Sequence, residues 1–463
     1  MKPVIVWFRQ DQRLADNPAL SAAVQTGAPV LPLYVLDDET PGPWKMGGAS
    51  RWWLHESLQE LSRSLLEIGG SLVLRQGDAR TVLAALADKV DAQGVFWNRC
   101  YEPFVVARDK RLKDELPGAQ SFKGSLLFEP WEVRTGAGTP FKVFTPFWRA
   151  AKVLPEPERP LPAPTSLRGI GGVESDSLDD WGLLPQAPDW AGGLRAEWAP
   201  GEDGARKRLA AFLRRVEGYR DGRDRPGEQA TSRLSPHLHF GEISPRQVWH
   251  AIRHREATGD GEKFLAELGW REFCHQLLFH HPELPSKPLD ARFAPFPWRD
   301  DDAAFRRWTK GLTGVPIVDA GMRQLWQTGW MHNRVRMVVA SYLIKHLGID
   351  WRRGEAWFWD TLVDADLANN AAGWQWVAGS GADAAPFFRI FNPVLHGEKF
   401  DKKGDYVRRW VPEVAALSDK YVHRPWQAPA DIRAGVKDYP EPLVDLADGR
   451  ERALKAFRAL PSS

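Results

Sequence analysis

The sequence predicts an α/β domain with a parallel sheet, followed by an all-helical domain. Up to residue 98, short apolar runs typical of buried strands alternate with amphipathic segments of helical period. From about residue 201, strand patterns nearly vanish and helical patterns follow one another. The chain has 463 residues, which is too long for one ordinary hydrophobic core. These observations predict a Rossmann-like N-terminal domain and a separate helical domain.

The N-terminal pattern alternates strand and helix in chain order. Such alternation predicts a parallel sheet with helices on both faces, whose ligands bind beyond the carboxyl ends of the strands. No GxGxxG follows the first strand, where the sequence is RQDQRLADNP, so a dinucleotide-binding site there is weakly supported. The predicted strands are 4–8, 30–36, 71–74 and 94–98, and the predicted helices are 18–26, 49–68 and 79–89.

A connector separates the two domains. Between residues 129 and 200 the periodic pattern breaks down, and five prolines crowd positions 155–164. We therefore assign residues 1–130 to the α/β domain, 131–200 to the connector and 201–463 to the helical domain. Predicted helices of the last domain are 205–217, 245–255, 262–279, 303–310, 318–328, 330–347, 353–362 and 449–460.

Composition excludes several classes of protein. The net charge is only +2, so bulk charge does not indicate nucleic-acid binding, although a local basic face would still allow it. The two cysteines, Cys100 and Cys274, lie far apart, which argues against a disulfide framework, a zinc site or an iron–sulfur cluster. The N-terminus lacks a signal-peptide pattern, and no apolar run is long enough to span a membrane, so we expect a cytosolic protein. The unusual feature is 23 Trp against 7 Tyr, because core packing rarely needs so many indoles.

Three patterns suggest binding chemistry, although each also has a purely structural interpretation. The run 231–235 offers three hydroxyls, and Ser235-Pro236 resembles an N-cap followed by proline, which suits a phosphate or a simple capped helix. Helical spacing places Glu267, Trp270, Arg271 and Cys274 on one face. The same spacing places Trp330, Asn333 and Met337 on one face, which could line a pocket for a flat ring or form an ordinary boundary face.

The region 315–391 concentrates these features. The carboxylate pair Asp364 and Asp366 precedes Asn370 and Trp374 at helical spacing. Tryptophan recurs throughout the region, at Trp326, Trp330, Trp351, Trp357, Trp359, Trp374 and Trp376.

Taken together, these motifs resemble the photolyase/cryptochrome family over essentially the full chain. The matching segments are VIVWFRQDQRLADNPAL, TSRLSPHLHFGEISP, WREF, TGWMHNRVRMVVASYLIK and DADLANNAAGWQWVAGSGADAAPFFRIFNP. Within the family the chain resembles cyclobutane pyrimidine dimer photolyases. WVAGSGADAAPFFRIFNP and KYVHRPWQAP are most similar to the bacterial class III branch, the sister of plant cryptochromes.

The resemblance implies an antenna domain, a connector and a helical domain that binds FAD. Arg336 and Asp364 would pair beside the isoalloxazine ring, with Asp366 near its polar edge and Arg271 also in contact with the cofactor. Asn370 would face flavin N5. Because plant cryptochromes typically have Asp at that position, Asn370 favours repair. The residues that would hold the FAD phosphates are Tyr219, Thr231, Ser232, Arg233, Leu234 and Ser235.

The resemblance also implies a pocket for a flipped pyrimidine dimer in UV-damaged DNA. Trp270 and Trp376 would stack on the lesion, each contributing about 1–3 kcal/mol. Glu267 and Asn333 would bind the thymine edges, and Arg223 and Arg334 would contact phosphates. The implied lesion and catalytic residues are Glu267, Trp270, Arg271, Asn333, Arg334, Met337 and Trp376, with Asn370 at the flavin.

The implied enzyme is a carbon–carbon lyase driven by blue light. In the family, photoexcited FADH⁻ passes an electron to the dimer, the cyclobutane ring opens and the electron returns. Trp374, Trp351 and Trp298 match the family's electron-transfer chain, although core packing would also explain them. We expect a cytoplasmic, nucleoid-associated monomer of a bacterial type.

The antenna chromophore is less well defined by the sequence. The segment WNRCYEPFVVARD has Phe104 and Val105 where class I enzymes hold methenyltetrahydrofolate with an Asn-Glu pair. Since class III relatives bind that folate differently, we expect it near Trp44, Arg51 and His55. A deazaflavin, or no antenna, stays an alternative.

Other functions remain possible on sequence alone. A (6-4) photolyase would carry paired active-site histidines, whereas this chain has Trp330-Met-His332-Asn333. A signalling cryptochrome, the main alternative, would usually carry a long disordered tail, whereas this sequence ends soon after the helical segment 449–460. A light-independent flavoprotein oxidoreductase would not explain so many tryptophans.

Overall fold

The structure is a computed structural model that describes residues 1–255, 259–384 and 388–461. It confirms the predicted fold class, an N-terminal parallel α/β sheet with helices dominating the rest of the chain. Residues 385–387 of the last family motif lie outside the described residues. No helix in the described part of the chain is long and apolar enough to cross a membrane.

The sheet has five strands in the order β3-β2-β1-β4-β5, and every neighbouring pair is parallel. The central strand β1 is apolar and fully buried, and its Val4 pairs with Val30 on one side and Gly94 on the other. Burial of the sheet interior explains why β1, β2 and β4 consist mainly of continuous apolar runs rather than alternating residues. The strands are β1 (Val4–Phe8), β2 (Val30–Leu36), β3 (Val73–Gln76), β4 (Gly94–Asn98) and β5 (Gln120–Phe122).

Helices are the predominant regular structure in the rest of the described chain. They are α1 (Pro18–Gln25), α2 (Gly48–Glu67), α3 (Ala79–Lys89), α4 (Pro103–Glu115), α5 (Phe144–Ala151), α6 (Gly192–Glu197), α7 (Glu202–Leu213), α8 (Tyr219–Gly222), α9 (Ser235–His239), α10 (Pro245–His254), α11 (Gly259–His280), α12 (Asp302–Thr309), α13 (Pro316–Thr328), α14 (Asn333–Ser341), α15 (Trp351–Thr361), α16 (Leu367–Ala378), α17 (Pro393–Phe400), α18 (Asp405–Trp410), α19 (Ala430–Arg433) and α20 (Leu446–Arg458). A π-helix, Tyr342–Leu347, continues directly from α14.

The chain divides into two compact units. The first comprises Met1–Glu217, Ser232–Pro282 and Val363–Ala365, and contains the sheet and α11. The second comprises Gly218–Thr231, Glu283–Leu362 and Asp366–Ser463. The boundaries that we placed at residues 130 and 200 stay a prediction.

Several sequence-based assignments of structure need correction, beginning with helix α4 and strand β5, which were not predicted. Helix α5 lies inside the segment that we predicted to be irregular. Its apolar residues at i, i+3 and i+4 spacing were missed because proline- and glycine-rich sequence flanks them. The third strand begins two residues later than predicted. The predicted helix 330–347 begins at Asn333, because α13 ends at Thr328 with Gly329 (φ 64°) as its C-cap, and the His332 side chain caps α14.

The loop after β1 forms a network of buried polar contacts within the first unit, hereafter the Arg13–Asp16 clasp. Arg13 is 1% exposed. Its guanidinium donates to the carbonyl oxygens of Asp16 (2.7 Å), Gly124 (2.8 Å) and Gly241 (2.8 Å). The clasp therefore joins the carboxyl end of the central strand to segments more than 100 residues away.

Asp16 completes the clasp. Its carboxylate accepts hydrogen bonds from Arg246 Nη2 at 2.6 Å, from the Ser244 hydroxyl and from the Leu161 backbone N–H at 3.0 Å. The Asp16 backbone is left-handed, with φ 52°, a conformation that Asp and Asn tolerate better than most residues. Because Asp16 and Arg246 are 0% and 7% exposed, each charge depends on the other.

A similar network stabilises the second unit. The buried Asp319 carboxylate accepts from the Thr313 backbone N–H and hydroxyl, both at 2.7 Å, and from the Tyr439 hydroxyl at 2.5 Å. Tyr439 lies 120 residues along the chain from Asp319. The network thus ties the C-terminal part of this unit to α13.

Replacing Asp16 by Asn should destabilise the protein strongly, because it leaves the buried Arg246 guanidinium with only the exposed Glu158 carboxylate, 3.4 Å away, as an ionic partner. The expected loss in free energy of unfolding is about 3–5 kcal/mol, measured as a shift in the urea midpoint. The control, Glu115→Gln, breaks the exposed Arg80–Glu115 pair and should cost less than about 1 kcal/mol. Equal shifts in the two variants would contradict a structural role for the clasp.

Candidate functional site

Helix α11 of the first unit carries three predicted site residues, Glu267, Trp270 and Arg271. It is a continuous helix, as predicted, so residues three and four apart lie on one face. The Glu267 carboxylate lies 3.2 Å from Lys263 Nζ, one turn earlier. Arg271 Nη1 lies 3.2 Å from the carboxylate of Glu272. The face therefore presents a carboxylate, an indole and a guanidinium, each in contact with a neighbour on its own helix or unit.

The plane of Trp270 is fixed by aromatic packing from α5. The Phe144 ring stacks on Trp270 with centroids 3.8 Å apart and an interplanar angle of 10°. Trp148 continues nearly parallel to Phe144, at 6.4 Å and 11°. Trp148 fits because position 269 is glycine: a Cβ there would lie 2.4 Å from the indole. One face of Trp270 is thus covered, and the side chain stays partly exposed.

The segment around Ser235 differs locally from its sequence-based description. Ser235 is the first residue of α9, and Leu234 occupies the N-cap without a side-chain cap. The Ser232 hydroxyl accepts from the Leu234 N–H at 3.3 Å, and the Arg233 side chain pairs with Glu197. Serine is a common N-cap, which explains the one-residue error. The donors available here are therefore hydroxyls and backbone N–H groups rather than an uncommitted guanidinium.

This segment is anchored to α2 through buried polar contacts in the first unit. His237 Nδ1 contacts the Glu242 carboxylate, which also accepts from Trp53 Nε1 at 2.8 Å. Glu242 and His237 are completely buried. Thr231 and Tyr219 belong to the second unit, where Tyr219 is 6% exposed.

In the second unit, the two arginines predicted to bind phosphates meet at Asp224. Arg334 Nη2 lies 2.8 Å from Asp224 Oδ1, and Arg223 Nε lies 3.8 Å from the same oxygen. The Arg334 guanidinium also packs over the Phe400 ring at 4.5 Å. Sequence reasoning missed Asp224, because the charges in the run RDGRDRPGE resemble a solvated surface. It also missed Phe400.

The predicted face of Trp330, Asn333 and Met337 is only partly correct. Asn333 and Met337 are one turn apart on α14, and the Met337 sulfur lies 4.0 Å from Arg334 Nη1. Trp330 precedes the helix, so it does not share this stripe, and its ring is 6% exposed beside His332. Burial lowers the pKa of His332 to about 4, which keeps the imidazole neutral at pH 7.

Helix α16 positions Asp366, Asn370 and Trp374. The Asp366 carboxylate caps the helix by accepting from the Asn369 N–H at 2.8 Å. The Asn370 side-chain NH₂ donates to the Glu355 carbonyl oxygen at 3.1 Å, which leaves its Oδ1 as the acceptor on the other side. Asp364 belongs to the first unit and, like Asp366, is 8% exposed. The Arg336 Nε donates to the Met331 carbonyl oxygen at 2.8 Å.

The three predicted electron-transfer tryptophans lie in the second unit with graded exposure. Trp374 and Trp351 are 2% and 1% exposed, whereas Trp298 is partly exposed. Trp374 fits against Gly354, where a Cβ would lie 2.1 Å from its ring. Trp298 packs on Phe296 with centroids 4.3 Å apart.

Trp376, the second predicted stacking residue, also has an aromatic support. Its ring is roughly parallel to Phe391, at 6.2 Å and 23°. The Arg389 guanidinium lies 5.6 Å from the Trp376 ring centre.

Arg51 and His55 of the predicted antenna site lie one turn apart on α2, near the carboxyl end of β2. Arg51 Nη2 is 2.5 Å from Asp38, and His55 Nε2 is 3.0 Å from Gln59 and 3.9 Å from Asp179. Several buried polar atoms here have no partner among the described residues, namely Asp38 Oδ1, Trp52 Nε1, His55 Nδ1 and Trp181 Nε1. Trp44 ends a short 3₁₀ helix and is partly exposed.

Comparison with known proteins identifies the relatives of this chain. Residues 4–165 match the family model of DNA photolyase, and residues 264–459 match that of the FAD binding domain of DNA photolyase. A deoxyribodipyrimidine photo-lyase of Agrobacterium fabrum is 55% identical, over 99% of this chain and 98% of the relative. The chain belongs to the photolyase/cryptochrome family. Cryptochrome-1 of Arabidopsis thaliana, another member, is 40% identical over 98% of this chain and 70% of its own length.

Solved structures agree with this membership. A bacterial class III photolyase from Agrobacterium tumefaciens superposes with a TM-score of 0.95 and 54% identity, covering 99% of this chain and 98% of that one. A Synechocystis cryptochrome gives 0.86 and 28%, covering 98% of this chain and 99% of that one. The predicted resemblance to the family and to its class III branch is confirmed.

Proposed function

We propose that this photolyase/cryptochrome family member is a light-driven DNA repair enzyme. It splits cyclobutane pyrimidine dimers in UV-damaged DNA and is a deoxyribodipyrimidine photo-lyase. The observation that carries the proposal is its 55% identity to the Agrobacterium fabrum photo-lyase over nearly the whole of both chains. We further propose that it acts as a monomer in the cytoplasm, at the nucleoid, because its substrate is DNA.

FAD is the cofactor that the matched FAD-binding family model implies, and the residues present suit it. Hydroxyls and backbone N–H groups around Ser232 and Ser235, with Thr231 and Tyr219, are the donors that a pyrophosphate needs. Arg233 and Leu234 would contribute backbone N–H groups. When bound in its reduced form FADH⁻, the flavin would supply, under blue light, the electron that opens the cyclobutane ring, and that electron would return to it afterwards.

The remaining chemistry belongs to the protein side chains. Because the Glu355 carbonyl holds the Asn370 NH₂, Asn370 presents a carbonyl oxygen that can accept a hydrogen bond from the N5–H of reduced flavin. Arg336, Asp364 and Asp366 would hold the polar part of the ring, together with Arg271.

Lesion recognition rests on aromatic faces and a few polar groups. Trp270 and Trp376 would stack on the flipped dimer, each contributing about 1–3 kcal/mol. Glu267 and Asn333 would hydrogen-bond the thymine edges, with Met337 packing beside them. As a carboxylate Glu267 accepts hydrogen bonds, so its role would be to bind and orient the N3–H groups at the thymine edges of the lesion. Arg223 and Arg334 would contact phosphates without selecting sequence.

Replacing Glu267 by Gln should reduce repair. A hydrogen bond that a charged carboxylate accepts contributes about 1.5–3 kcal/mol, so lesion binding, and with it repair under blue light at subsaturating protein, should fall about 10- to 100-fold. The measurement is recovery of thymine absorbance in an oligonucleotide with one thymine dimer, using enzyme whose FAD has been reduced beforehand. The control, Glu262→Gln, changes a charge on the same helix that pairs with Arg253 and should repair normally.

An absence of repair by wild-type protein with bound, reducible FAD would refute the enzyme assignment. It would favour the second candidate function, that of a blue-light photoreceptor cryptochrome. The 40% identity to Arabidopsis cryptochrome-1 supports this alternative.

Trp374, Trp351 and Trp298 are proposed to pass electrons from the surface to oxidised FAD. Trp374→Phe should nearly abolish photoreduction of FAD, because phenylalanine is much harder to oxidise, while chemically reduced enzyme still repairs. The measurement is the loss of flavin absorbance under blue light with an external reductant. The control, Trp357→Phe, alters a tryptophan that stacks with the exposed Trp326. Undiminished photoreduction in Trp374→Phe would show that these rings serve packing alone.

The antenna is proposed to be 5,10-methenyltetrahydrofolate, held near Trp44, Arg51 and His55. The buried polar atoms without partners around Asp38 and His55 suit a ring with donors and acceptors at its edge. Arg51→Ala or His55→Ala should weaken folate binding about tenfold or more, measured by absorbance titration, while FAD content stays constant. Arg63→Ala, on the exposed side of α2, is the control. Deazaflavin binding that is lost in the same variants would instead assign the site to that chromophore.

A further inference from the structure

Asp224 is not among the residues proposed above to bind DNA, yet it contacts both arginines proposed to bind phosphates. One oxygen, Asp224 Oδ1, lies 2.8 Å from Arg334 Nη2 and 3.8 Å from Arg223 Nε. The Asp224 and Arg334 side chains are 33% and 22% exposed, so water and ions reach the pair. This is an accessible ion pair that a competing anion can open, unlike the buried Asp16–Arg246 pair.

Ring contacts hold the two guanidiniums independently of Asp224. Arg334 packs over Phe400 at 4.5 Å, and Arg223 lies 5.7 Å from the centre of the Tyr219 ring. Both rings belong to the same unit as Asp224. An arginine stacked on an aromatic ring keeps its orientation when its anion is exchanged. The two N–H groups of a guanidinium can donate hydrogen bonds to a carboxylate or to a phosphate with similar geometry.

We propose that Asp224 is an internal substitute for a DNA phosphate. In the free protein its carboxylate pairs with Arg223 and Arg334, and a backbone phosphate must displace it when DNA binds. The competition lowers affinity for all DNA, damaged or not, and speeds release from undamaged sites and from repaired product. The inference rests on the proposed function, because it takes these two arginines as phosphate contacts.

The competition has a measurable effect on salt dependence. Each phosphate that a free cationic side chain neutralises releases counterions and steepens log K against log salt by about 0.9. An arginine already paired with Asp224 contributes less, since the displaced carboxylate gathers cations from solution. Removing the carboxylate should therefore raise affinity and steepen the slope together.

The test compares Asp224→Asn with Asp221→Asn, which removes the same charge from an exposed position three residues earlier. Binding is measured in the dark, over a range of salt concentrations, to one duplex with and without a single thymine dimer. Asp224→Asn should bind both duplexes about 3- to 10-fold more tightly at low salt, with a slope steeper by up to about 1 per arginine released. It should also dissociate more slowly. Asp221→Asn should change affinity less and leave the slope unchanged.

Two outcomes would overturn the proposal. If Asp224→Asn matches Asp221→Asn in affinity and slope, Asp224 does not compete with phosphate. If it weakens binding as Arg334→Ala does, with thermal stability and FAD content unchanged, Asp224 only positions the arginines. Failure of the proposed function would look different, because wild-type protein would then show no preference for the duplex with the dimer.

Discussion

The Arg13–Asp16 clasp is the interaction on which the first unit depends. The central strand ends in a polar loop where a dinucleotide-binding fold would place glycines against a phosphate. Here the polar groups of the loop make hydrogen bonds to other parts of the protein. Asp16 also neutralises the charge of Arg246 at a position that is almost inaccessible to water. Burying such charges raises the free energy of the folded state unless they are paired. The segments that carry them must therefore fold together. The arrangement that results holds the carboxyl edge of the sheet and the segment around Ser244 in one fixed relation.

The sequence predicted regular elements well wherever a single periodicity dominated. Strands β1, β2 and β4 and helix α3 begin and end as expected, because continuous apolar runs and clear caps mark them. Predictions failed where local signals conflicted. Helix α5 is short and flanked by proline and glycine, and the start of α14 depends on a histidine cap that residue preferences do not favour. The clasp was invisible because its partners are more than 100 residues apart.

Family resemblance predicted the site residues. It did not predict the contacts that hold those residues in place. Phe144 under Trp270, the Glu355 carbonyl beside Asn370 and Asp224 between two arginines contribute no distinctive pattern to the sequence. An aspartate within RDGRDRPGE resembles a solvated charge, and its partner Arg334 is 110 residues further along the chain. Contacts of this kind depend on tertiary structure and are not encoded by local spacing.

These supports share one physical consequence, which is that functional side chains are ordered before any ligand arrives. Ordering a long or aromatic side chain on binding costs about 0.5–1.5 kcal/mol each, and Trp270, Trp376 and Arg334 are each already packed on a ring. Part of the abundance of aromatic residues is thus explained by rings that hold the side chains of the proposed site in place. The same ordering gives the proposed competition by Asp224 a purpose, because preorganised guanidiniums that bind phosphate would otherwise hold any DNA backbone, whether or not it carried a lesion.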